Sequence, residues 1–413
     1  MIDDRHRRAA PHAAPAGRGR RAPRPRALFP SFFHAGFECS THVNRRGERQ
    51  DLVRLTQHDR FLDADYARLV PLGLLTVREG VPWYRIDRNG RYDFRPIAPF
   101  IEAGLRRGLT QIWDLFHFGF PPYLDPFSDD FIPRFADFCH AFARHLVRHT
   151  GRAGTRFYTP VNEPSFYAWA GAEVGWFAPF ERGRGLDFKL QLVRAALAGI
   201  DALRAADPGA RVVNVDPVCH TVAPADEPAL ADDAAVFNTF QWQAWDMLAG
   251  KAWPQLGGSP GHLDVIGVNY YLSGQWEHRR GATLVYDDPR RRPFGELLSD
   301  VAARYPGHPI VITETSCWSD LRPVWLRDIV DDVLCALEAG IDVQGICIYP
   351  IIDMPDWHTS QFMRFGLWDV AAKGRTLRRR LYRPYADELL RSQQRLRESG
   401  LLPEPPARRR AAA

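Results

Sequence analysis

Short apolar runs recur along residues 28–396 of this 413-residue chain, separated by longer segments in which apolar and polar positions mix. Eight of these runs are four to seven residues long and rich in β-branched and aromatic residues. That pattern is typical of buried strands in a parallel sheet. The eight predicted strands are residues 32–37, 74–78, 110–116, 156–161, 211–216, 265–270, 310–313 and 345–349.

Apolar residues at helical spacing fill most of the intervals between these runs. The clearest predicted helix, 129–149, has one apolar face formed by Phe131, Phe135, Phe138, Phe142 and Leu146. Ser128 is placed to cap its first turn, and Gly151 is placed to end it. Further helices are predicted at residues 60–71, 96–107, 188–206, 235–248, 324–339 and 383–395. The segment 273–292 is predicted to be an insertion in a loop.

A strand and a helix repeated around the chain indicate an α/β fold, a single (β/α)8 barrel of the TIM type. A chain of 413 residues is long enough for one large domain of this kind. We therefore expect the barrel domain to span residues 28–396. Residues 1–27 are rich in Arg, Ala, Pro and Gly with little to bury, so a disordered basic tail is predicted there. A second disordered tail is predicted over 397–413.

The net charge of +5 is concentrated in the predicted N-terminal tail. Residues 1–27 hold eight Arg against Asp3 and Asp4, a balance of +6, so the rest of the chain is near −1. A body so close to neutral lacks the basic surface that binds nucleic acid. Neither a long apolar run nor an apolar segment behind the N-terminal Arg pairs is present, so no membrane partner and no export signal are expected. A cytoplasmic location is predicted.

The six cysteines are widely scattered, without a CxxC pair or a Cys/His cluster. This spacing argues against a zinc site and against a disulfide framework. Several of them lie inside apolar runs, as buried thiols do. No metal and no other cofactor is predicted.

Two glutamates follow predicted strands that lie half a barrel apart in sequence. Glu163 follows the run 156–161, and Glu314 follows the run 310–313. Because the carboxyl ends of barrel strands converge at one rim, the two carboxylates could face each other across one pocket. A single acidic residue after a strand is more often a helix cap or a loop charge. A pair of carboxyl groups, however, is the minimum that enzymatic cleavage of a glycosidic bond commonly requires.

Other polar residues fall at the same predicted rim. The candidates are Arg78, His117, Asn162, Asn269, Tyr271, Asp356 and Trp357. A lone histidine between two phenylalanines, such as His117, is more often a buried core residue than a ligand-binding one. Trp176 and Trp357 fit equally well as core aromatics and as platforms for a sugar ring. His34, Glu38 and Glu79 also lie near rim positions.

The order of these motifs resembles the retaining β-glycosidases of glycoside hydrolase family 1, which are (β/α)8 barrels. An isolated Asn-Glu-Pro is a weak signal, but the ordered set at family-like spacing is specific, and the similarity covers roughly residues 28–370. The motifs are Arg78 with Trp83, Leu115-Phe116-His117 with Pro121, Val161-Asn162-Glu163-Pro164, Val-Ile-Gly-Val-Asn-Tyr-Tyr at 265–271, Ile312-Thr313-Glu314, Ile-Asp-Met-Pro-Asp-Trp at 352–357, and Arg-Phe-Gly-Leu at 364–367.

The resemblance implies that Glu163 is the general acid/base and Glu314 the nucleophile of a double displacement. Charge from Arg78 and a hydrogen bond from Tyr271 would keep Glu314 ionised, and that standing charge would keep Glu163 protonated. The resemblance also implies substrate-binding roles for Arg78, His117, Asn162, Asn269, Tyr271, Asp356 and Trp357.

Several sugar-binding positions depart from the family pattern. Family members carry a Gln in the loop after the first strand, where this chain has Phe-Glu-Cys-Ser-Thr-His-Val at 37–43. The family's Glu before the last Trp is Asp356, the Trp that ends strand eight is Tyr349, and the Asp after the histidine is Gly119. The sequence therefore leaves open a modified, smaller or phosphorylated sugar as the substrate. Arg279, Arg280 and the arginines at 290–292 are candidates for binding an anionic group.

The expected function is that of a retaining glycoside hydrolase, similar to β-glucosidases and β-galactosidases, which cleaves a β-glycosidic bond through a covalent glycosyl-enzyme. Its partner would be a small carbohydrate or glycoside, and the sequence specifies neither the sugar nor an oligomeric state. One alternative is a transglycosidase that passes the same intermediate to an alcohol. Another is a non-catalytic carbohydrate-binding barrel.

Overall fold

Eight parallel strands close into a barrel in the computed structural model, which describes residues 25–404. Each strand pairs with its neighbours in sequence, and the first pairs with the last. In chain order, β1 to β8 are Phe33–Gly36, Thr76–Gly80, Thr110–Asp114, Arg156–Thr159, Ala210–Pro217, Val265–Asn269, Ile310–Thr315 and Val343–Ile348. The predicted (β/α)8 barrel is therefore confirmed, and each of its strands begins and ends within two residues of the predicted bounds.

One main helix follows each strand and covers the outside of the barrel. In chain order, α1 to α8 are His58–Leu69, Ala98–Arg107, Phe131–Thr150, Gly185–Ala206, Gln243–Leu248, Phe294–Arg304, Arg322–Glu338 and Arg383–Ser399. Short helices also lie in the loops, at Leu52–Leu55, Trp83–Ile86, Pro164–Ala168 and Ala231–Asn238. Four two-stranded sheets complete the loops: Asp87–Arg88 with Arg91–Tyr92, His220–Val222 with Gln275–Glu277, Met354–Pro355 with Phe362–Met363, and Trp368–Lys373 with Thr376–Leu381.

Helix α3 matches its prediction except at the first turn. Its five predicted apolar residues are all buried, and Gly151 ends the helix by donating its N–H to the Val147 carbonyl. The predicted cap is wrong, because the helix begins at Phe131 and Ser128 instead bonds the carbonyl of Asp125. Asp129 and Ser128 thus form a turn that precedes the helix.

Helix α6 was not predicted, although its apolar spacing is present in the sequence. Its buried residues are Phe294, Leu297, Leu298 and Val301. The arginines at 290–292 and Pro293 immediately before it made the whole segment resemble a loop. The predicted insertion at 273–292 contains the short strand Gln275–Glu277, which pairs with His220–Val222 beside the barrel.

Side chains fill the interior of the barrel below the rim. Inward-facing residues from β3 to β7 form a separate apolar cluster, and Phe29 packs against it from the segment before β1. The cluster consists of Phe29, Ile112, Phe157, Val213, Val215, Val265 and Val311. Such a packed layer closes the barrel as a core, so a ligand can enter only from the rim at the carboxyl ends of the strands.

The chain ends of the described part lie together. The Ala27 N–H donates to the carbonyl of Glu404, and α8 continues to Ser399, three residues past the predicted domain boundary at 396. The predicted tails at residues 1–24 and 405–413 lie outside the described residues. No helix within residues 25–404 is long and apolar enough to cross a membrane.

Candidate active site

Glu163 sits at the carboxyl end of β4 in an unusual backbone conformation. Its φ and ψ are 45° and 60°, the left-handed region, and its N–H donates to the Val215 carbonyl of β5 over 3.0 Å. Pro164 follows and starts the helix Pro164–Ala168, and a residue before proline is excluded from the right-handed helical region by steric contact. A left-handed conformation costs a non-glycine residue about 1–2 kcal/mol, so the fold holds Glu163 in place against strain.

Glu314 lies within β7 at an irregularity of the barrel. The register of β7 shifts between Ile312 and Glu314 against β6, and between Ile312 and Thr315 against β8. A bulge of this kind re-aims the side chains next to it. Here it lets the neighbouring residues Thr313 and Glu314 both bond residues of the barrel mouth.

Both carboxylate oxygens of Glu314 receive hydrogen bonds. Arg78 of β2 donates to Oε1 over 2.5 Å, and the Tyr271 hydroxyl donates to Oε2 over 2.7 Å. The guanidinium of Arg78 is fully buried and also lies 5.1 Å from the centre of the Tyr349 ring. A buried cation and a hydroxyl donor favour the charged form of the carboxylate that they contact.

Glu163 has a neutral partner instead of a cation. The Asn269 amide donates to Oε1 of Glu163 over 2.7 Å, and the Thr313 hydroxyl donates to the Asn269 oxygen over 2.7 Å. In this arrangement the amide nitrogen of Asn269 faces Glu163 and its oxygen faces Thr313. Asn269 was predicted to bind substrate, and the structure places it against the carboxylate of Glu163.

The two glutamates differ in their titration. Burial and the negative charge of Glu314 raise the pKa of Glu163 well above its ordinary value. Burial raises the pKa of Glu314 as well, but the nearby Arg78 and His117 oppose that rise. Since only Glu314 contacts a cation, it is the member of the pair that ionises first, and Glu163 keeps its proton.

His117 lies beside the pair, and its tautomer follows from its neighbours. Arg78 donates to the Asn162 oxygen over 2.6 Å, so the Asn162 amide nitrogen is the end that faces Nε2 of His117, 3.0 Å away. Nε2 must therefore accept, and the ring proton must lie on Nδ1, 3.2 Å from Asp114. The predicted rim residues Arg78, His117 and Asn162 thus form one hydrogen-bonded chain with Glu314.

Asp114 and Cys39 are site residues that the sequence analysis missed. The Nδ1 atom of His117 lies 3.2 Å from both Cys39 Sγ and Asp114 Oδ2, and Sγ lies 3.6 Å from Oδ2. The three buried side chains have the composition of a zinc site. However, the proton on Nδ1 removes the lone pair that a metal would need, and Arg78 already donates to Oδ2 of Asp114 over 2.7 Å. The cluster is therefore a hydrogen-bonded support for Arg78 and His117.

Asp356 and Trp357 lie in the loop after β8, further from the carboxylate pair. The Oδ1 atom of Asp356 accepts bonds from the N–H groups of His358 and Thr359, over 3.0 and 2.7 Å, so it stabilises its own turn. Within residues 25–404, no hydrogen bond joins Asp356 to the two glutamates. The ring of Trp357 packs 6.1 Å from Phe118, the residue after His117, and 5.4 Å from Phe177.

Other candidates have structural partners. Glu79 is fully buried outside the barrel, where it accepts from Tyr66 over 2.8 Å and contacts His58 over 3.0 Å. His34 bonds the Ser31 carbonyl and packs on Phe29 below the rim. Neither residue belongs to the site.

The arginine cluster of the 273–292 segment is neutralised by carboxylates. Arg279 pairs with Asp233, Arg280 with Asp226 and Glu227, Arg290 with Asp288 and Glu277, and Arg292 with Glu296 and Asp300. Arg291 bonds the carbonyls of Leu272 and Leu284. These pairs disfavour the interpretation of this cluster as a site for an anionic sugar group.

The (β/α)8 fold is similar to that of solved β-glucosidases. A family 1 β-glucosidase from Thermotoga maritima, solved in complex with isofagomine lactam, is similar at a TM-score of 0.71 and 15% identity, over 90% of this chain and 98% of that one. The AHE enzyme from Alicyclobacillus herbarius is similar at a TM-score of 0.71 and 16% identity, over 89% and 98% of the two chains. No protein-family model and no curated protein matches the sequence. The resemblance to family 1 is thus confirmed at the level of the fold.

Proposed function

We propose that this protein is a retaining β-glycoside hydrolase, with Glu163 as the general acid/base and Glu314 as the nucleophile. The observation that carries the proposal is the unequal environment of the two buried carboxylates. Glu314 is bound by Arg78 and Tyr271, whereas Glu163 has only a neutral amide partner. Two carboxyl groups with separated pKa values are what acid and nucleophile roles require.

In the first step, Glu314 attacks the anomeric carbon while the bond to the leaving oxygen breaks and Glu163 gives that oxygen its proton. The charge on Glu314 disappears in the resulting ester, so Glu163 becomes a stronger acid and remains ionised. In the second step, Glu163 takes a proton from water as the water attacks the anomeric carbon, and the ester bond to Glu314 breaks. The free enzyme is regenerated with the configuration of the sugar retained.

Arg78 and Tyr271 would stabilise Glu314 as an anion before attack and as a leaving group afterwards. Asn162 uses its oxygen for Arg78 and one amide hydrogen for His117, which leaves a second hydrogen for the sugar 2-hydroxyl. Hydrogen bonds to that hydroxyl strengthen in the transition state. Trp357 would supply an apolar face for the sugar.

The similarity to β-glucosidases supports a neutral or modified hexoside as substrate class. We also propose that the protein works in the cytoplasm. All six cysteines are free thiols, the state that a reducing compartment maintains.

The test is a panel of aryl β-glycosides given to the wild type and to Glu314→Gly, with and without azide. We expect the wild type to release the chromophore from at least one sugar, and the variant to be inactive. Azide should restore release from the variant and give a glycosyl azide of inverted configuration, because the small anion fills the space of the missing carboxylate. Glu338→Gly, at the exposed end of α7, is the control for loss of an unrelated carboxylate. Wild-type rates in Glu314→Gly without azide would disprove the assignment.

A further inference from the structure

Glu38 is a third acidic residue at the mouth of the barrel, and the proposed mechanism does not use it. It stands two residues past the end of β1 and is 4% exposed. The preceding residue, Phe37, stacks on His58 outside the barrel, with ring centres 3.6 Å apart. The following residue, Cys39, contacts His117 and Asp114, so Glu38 lies on the stretch of chain that passes the site.

The surroundings of Glu38 are those of the carboxylate pair. Burial and Glu314 raise the pKa of the Tyr271 hydroxyl well above its ordinary value, and the charge of Glu38 adds to that rise. The same charge also contributes to the raised pKa of Glu314. Glu38 therefore lies within electrostatic range of both the proposed nucleophile and its hydroxyl partner.

Glu38 has no counter-ion within residues 25–404. Its one hydrogen bond there is from the Ser40 N–H to Oε1, over 3.0 Å. Among residues 25–404, Arg78 is the only arginine that pairs with carboxylates of the site, and it is already shared between Asp114 and Glu314. Glu38, Asp114 and Glu314 together with the protonated Glu163 thus give the site more acidic than basic side chains. A buried carboxylate without a paired charge is costly, unless a ligand supplies the missing cation.

The same loop holds a second buried polar side chain whose hydrogen bonding is incomplete. His42 is fully buried, and neither of its ring nitrogens makes a hydrogen bond of good geometry within the described chain, although the backbone of Trp357 lies close to the ring. Burial lowers its pKa to about 3, so the ring is neutral and adds no positive charge. Its ring lies 5.6 Å from Trp357, the proposed sugar platform. A buried polar side chain of this kind requires an explanation, and a sugar hydroxyl is a suitable partner.

We propose that Glu38 binds a protonated amine on the sugar, so that the substrate is the β-glycoside of an amino sugar. This inference rests on the proposed function and names its substrate class. The ammonium group would pair with Glu38 and offset the negative charge of the site. His42 would form a hydrogen bond with a neighbouring hydroxyl of the same sugar. Phosphorylated or acidic sugars are disfavoured, because their charge would meet Glu38 and Glu314 while the arginines near residue 290 are already paired.

The experiment compares kcat/KM for an aryl β-glucoside and for its monoamino-deoxy counterparts, at a pH where the amines are protonated. We expect the wild type to prefer one of the amino sugars. Glu38→Gln should lower kcat/KM for that sugar about tenfold to a hundredfold more than for the neutral glucoside, since a hydrogen-bonded charge pair is lost only with the amino sugar. Glu38→Asp, which keeps the charge, should retain part of the preference.

Glu48→Gln is the matched control, because Glu48 belongs to the same loop but pairs with Arg46 at the surface. It should leave both substrates unchanged. An equal loss on both substrates in Glu38→Gln would overturn the proposal, and so would a wild-type preference for the neutral sugar. Thermal unfolding of each variant shows whether the variant is folded at the assay temperature, so that a loss of kcat/KM can be assigned to the site.

Calorimetric binding of glucosamine and glucose separates this inference from the proposed function. Hydrolysis of neutral glycosides without any Glu38-dependent preference leaves the function standing and disproves the amino-sugar assignment. Absence of hydrolysis on every glycoside, with glucosamine still bound through Glu38, disproves the function and leaves the binding assignment standing.

Discussion

Asn269 donates a hydrogen bond to Glu163 over 2.7 Å, and its own oxygen accepts one from Thr313. A hydrogen bond to a carboxylate stabilises its charged form and lowers its pKa. Asn269 therefore opposes the burial and the Glu314 charge that raise the pKa of Glu163. In the proposed mechanism this balance lets Glu163 donate its proton in the first step and accept one in the second.

Replacing Asn269 by Ala should raise the pKa of Glu163 further. Loss of one hydrogen bond to a charged group is worth about 1.4 kcal/mol, or about one pH unit. We expect the basic limb of the pH profile of kcat/KM to move up by that amount. Thr313→Ser keeps the hydroxyl and should leave the limb in place. An unmoved limb in Asn269→Ala would show that the hydrogen bond does not control the titration of Glu163.

Replacing Glu163 by Gln should remove the basic limb of the pH profile of kcat/KM, because an amide has no acidic proton to lose in this pH range. General acid catalysis contributes about 10²–10⁴-fold, so glycosides with poor leaving groups should lose activity within that range. Aryl glycosides with acidic leaving groups should keep a larger share of their first-step rate. The measurement is a series of leaving groups analysed by stopped flow, and a uniform loss across the series would contradict the acid role.

Asp114 and Glu314 both pair with Arg78, and we therefore expect Asp114 to affect the pKa of Glu314, the proposed nucleophile. Burial would raise the pKa of Asp114, but Arg78 and His117 lower it, so Asp114 is ionised and takes part of the charge of Arg78. Asp114→Asn should leave Arg78 more effective toward Glu314 and lower the pKa of Glu314 by roughly one unit. The acidic limb of kcat/KM should move to lower pH. Movement to higher pH would contradict this account of Arg78.

His58 connects two buried carboxylates outside the barrel, 2.9 Å from Asp65 and 3.0 Å from Glu79. Burial alone would lower its pKa, but Glu79 and Asp65 outweigh burial and raise the pKa to about 9. Because the folded pKa exceeds the ordinary 6.5, the stabilisation is complete below about pH 6.5 and is lost as the pH rises through about 9.

We therefore expect His58→Gln to lower the free energy of unfolding by up to about 3 kcal/mol near pH 6, and by much less near pH 10. Urea unfolding at these two pH values measures the change. His149→Gln, a surface histidine on α3, should show no such pH dependence. An equal cost of His58→Gln at both pH values would mean that the charge of His58 plays no part.

The strands could be predicted because each is a short apolar run buried on both faces, which is a local property of the sequence. The first turn of α3 and the whole of α6 were missed although their contacts are local, since Ser128 bonds the carbonyl of Asp125 and Arg292 pairs with Glu296 and Asp300 of α6. Helix α6 still carried its own signal, the spacing of Phe294, Leu297, Leu298 and Val301.

Local sequence signals explain only part of the site. Glu163 and Glu314 could be found because they follow strands in distinctive motifs. The partners come from distant parts of the chain, Asp114 from the end of β3 and Cys39 from the loop after β1, and their meeting at His117 depends on the closure of the barrel. Asp114 is the charged residue within the predicted strand run 110–116 and could have been included for that reason, whereas nothing local marks Cys39. The role of Asn269 depends on the bulge in β7, which the sequence does not reveal.

Of the two proposed cleaving residues, Glu163 follows β4 and Glu314 lies in β7, whereas Glu38 and His42 belong to one loop that leaves β1. Bond breaking and sugar choice are therefore encoded by separate stretches of the chain. A library confined to Glu38 and His42 would sample new substrates without replacing Arg78, Tyr271 or any residue that supports Arg78. The barrel thus allows one bond-breaking mechanism to be combined with different sugar specificities.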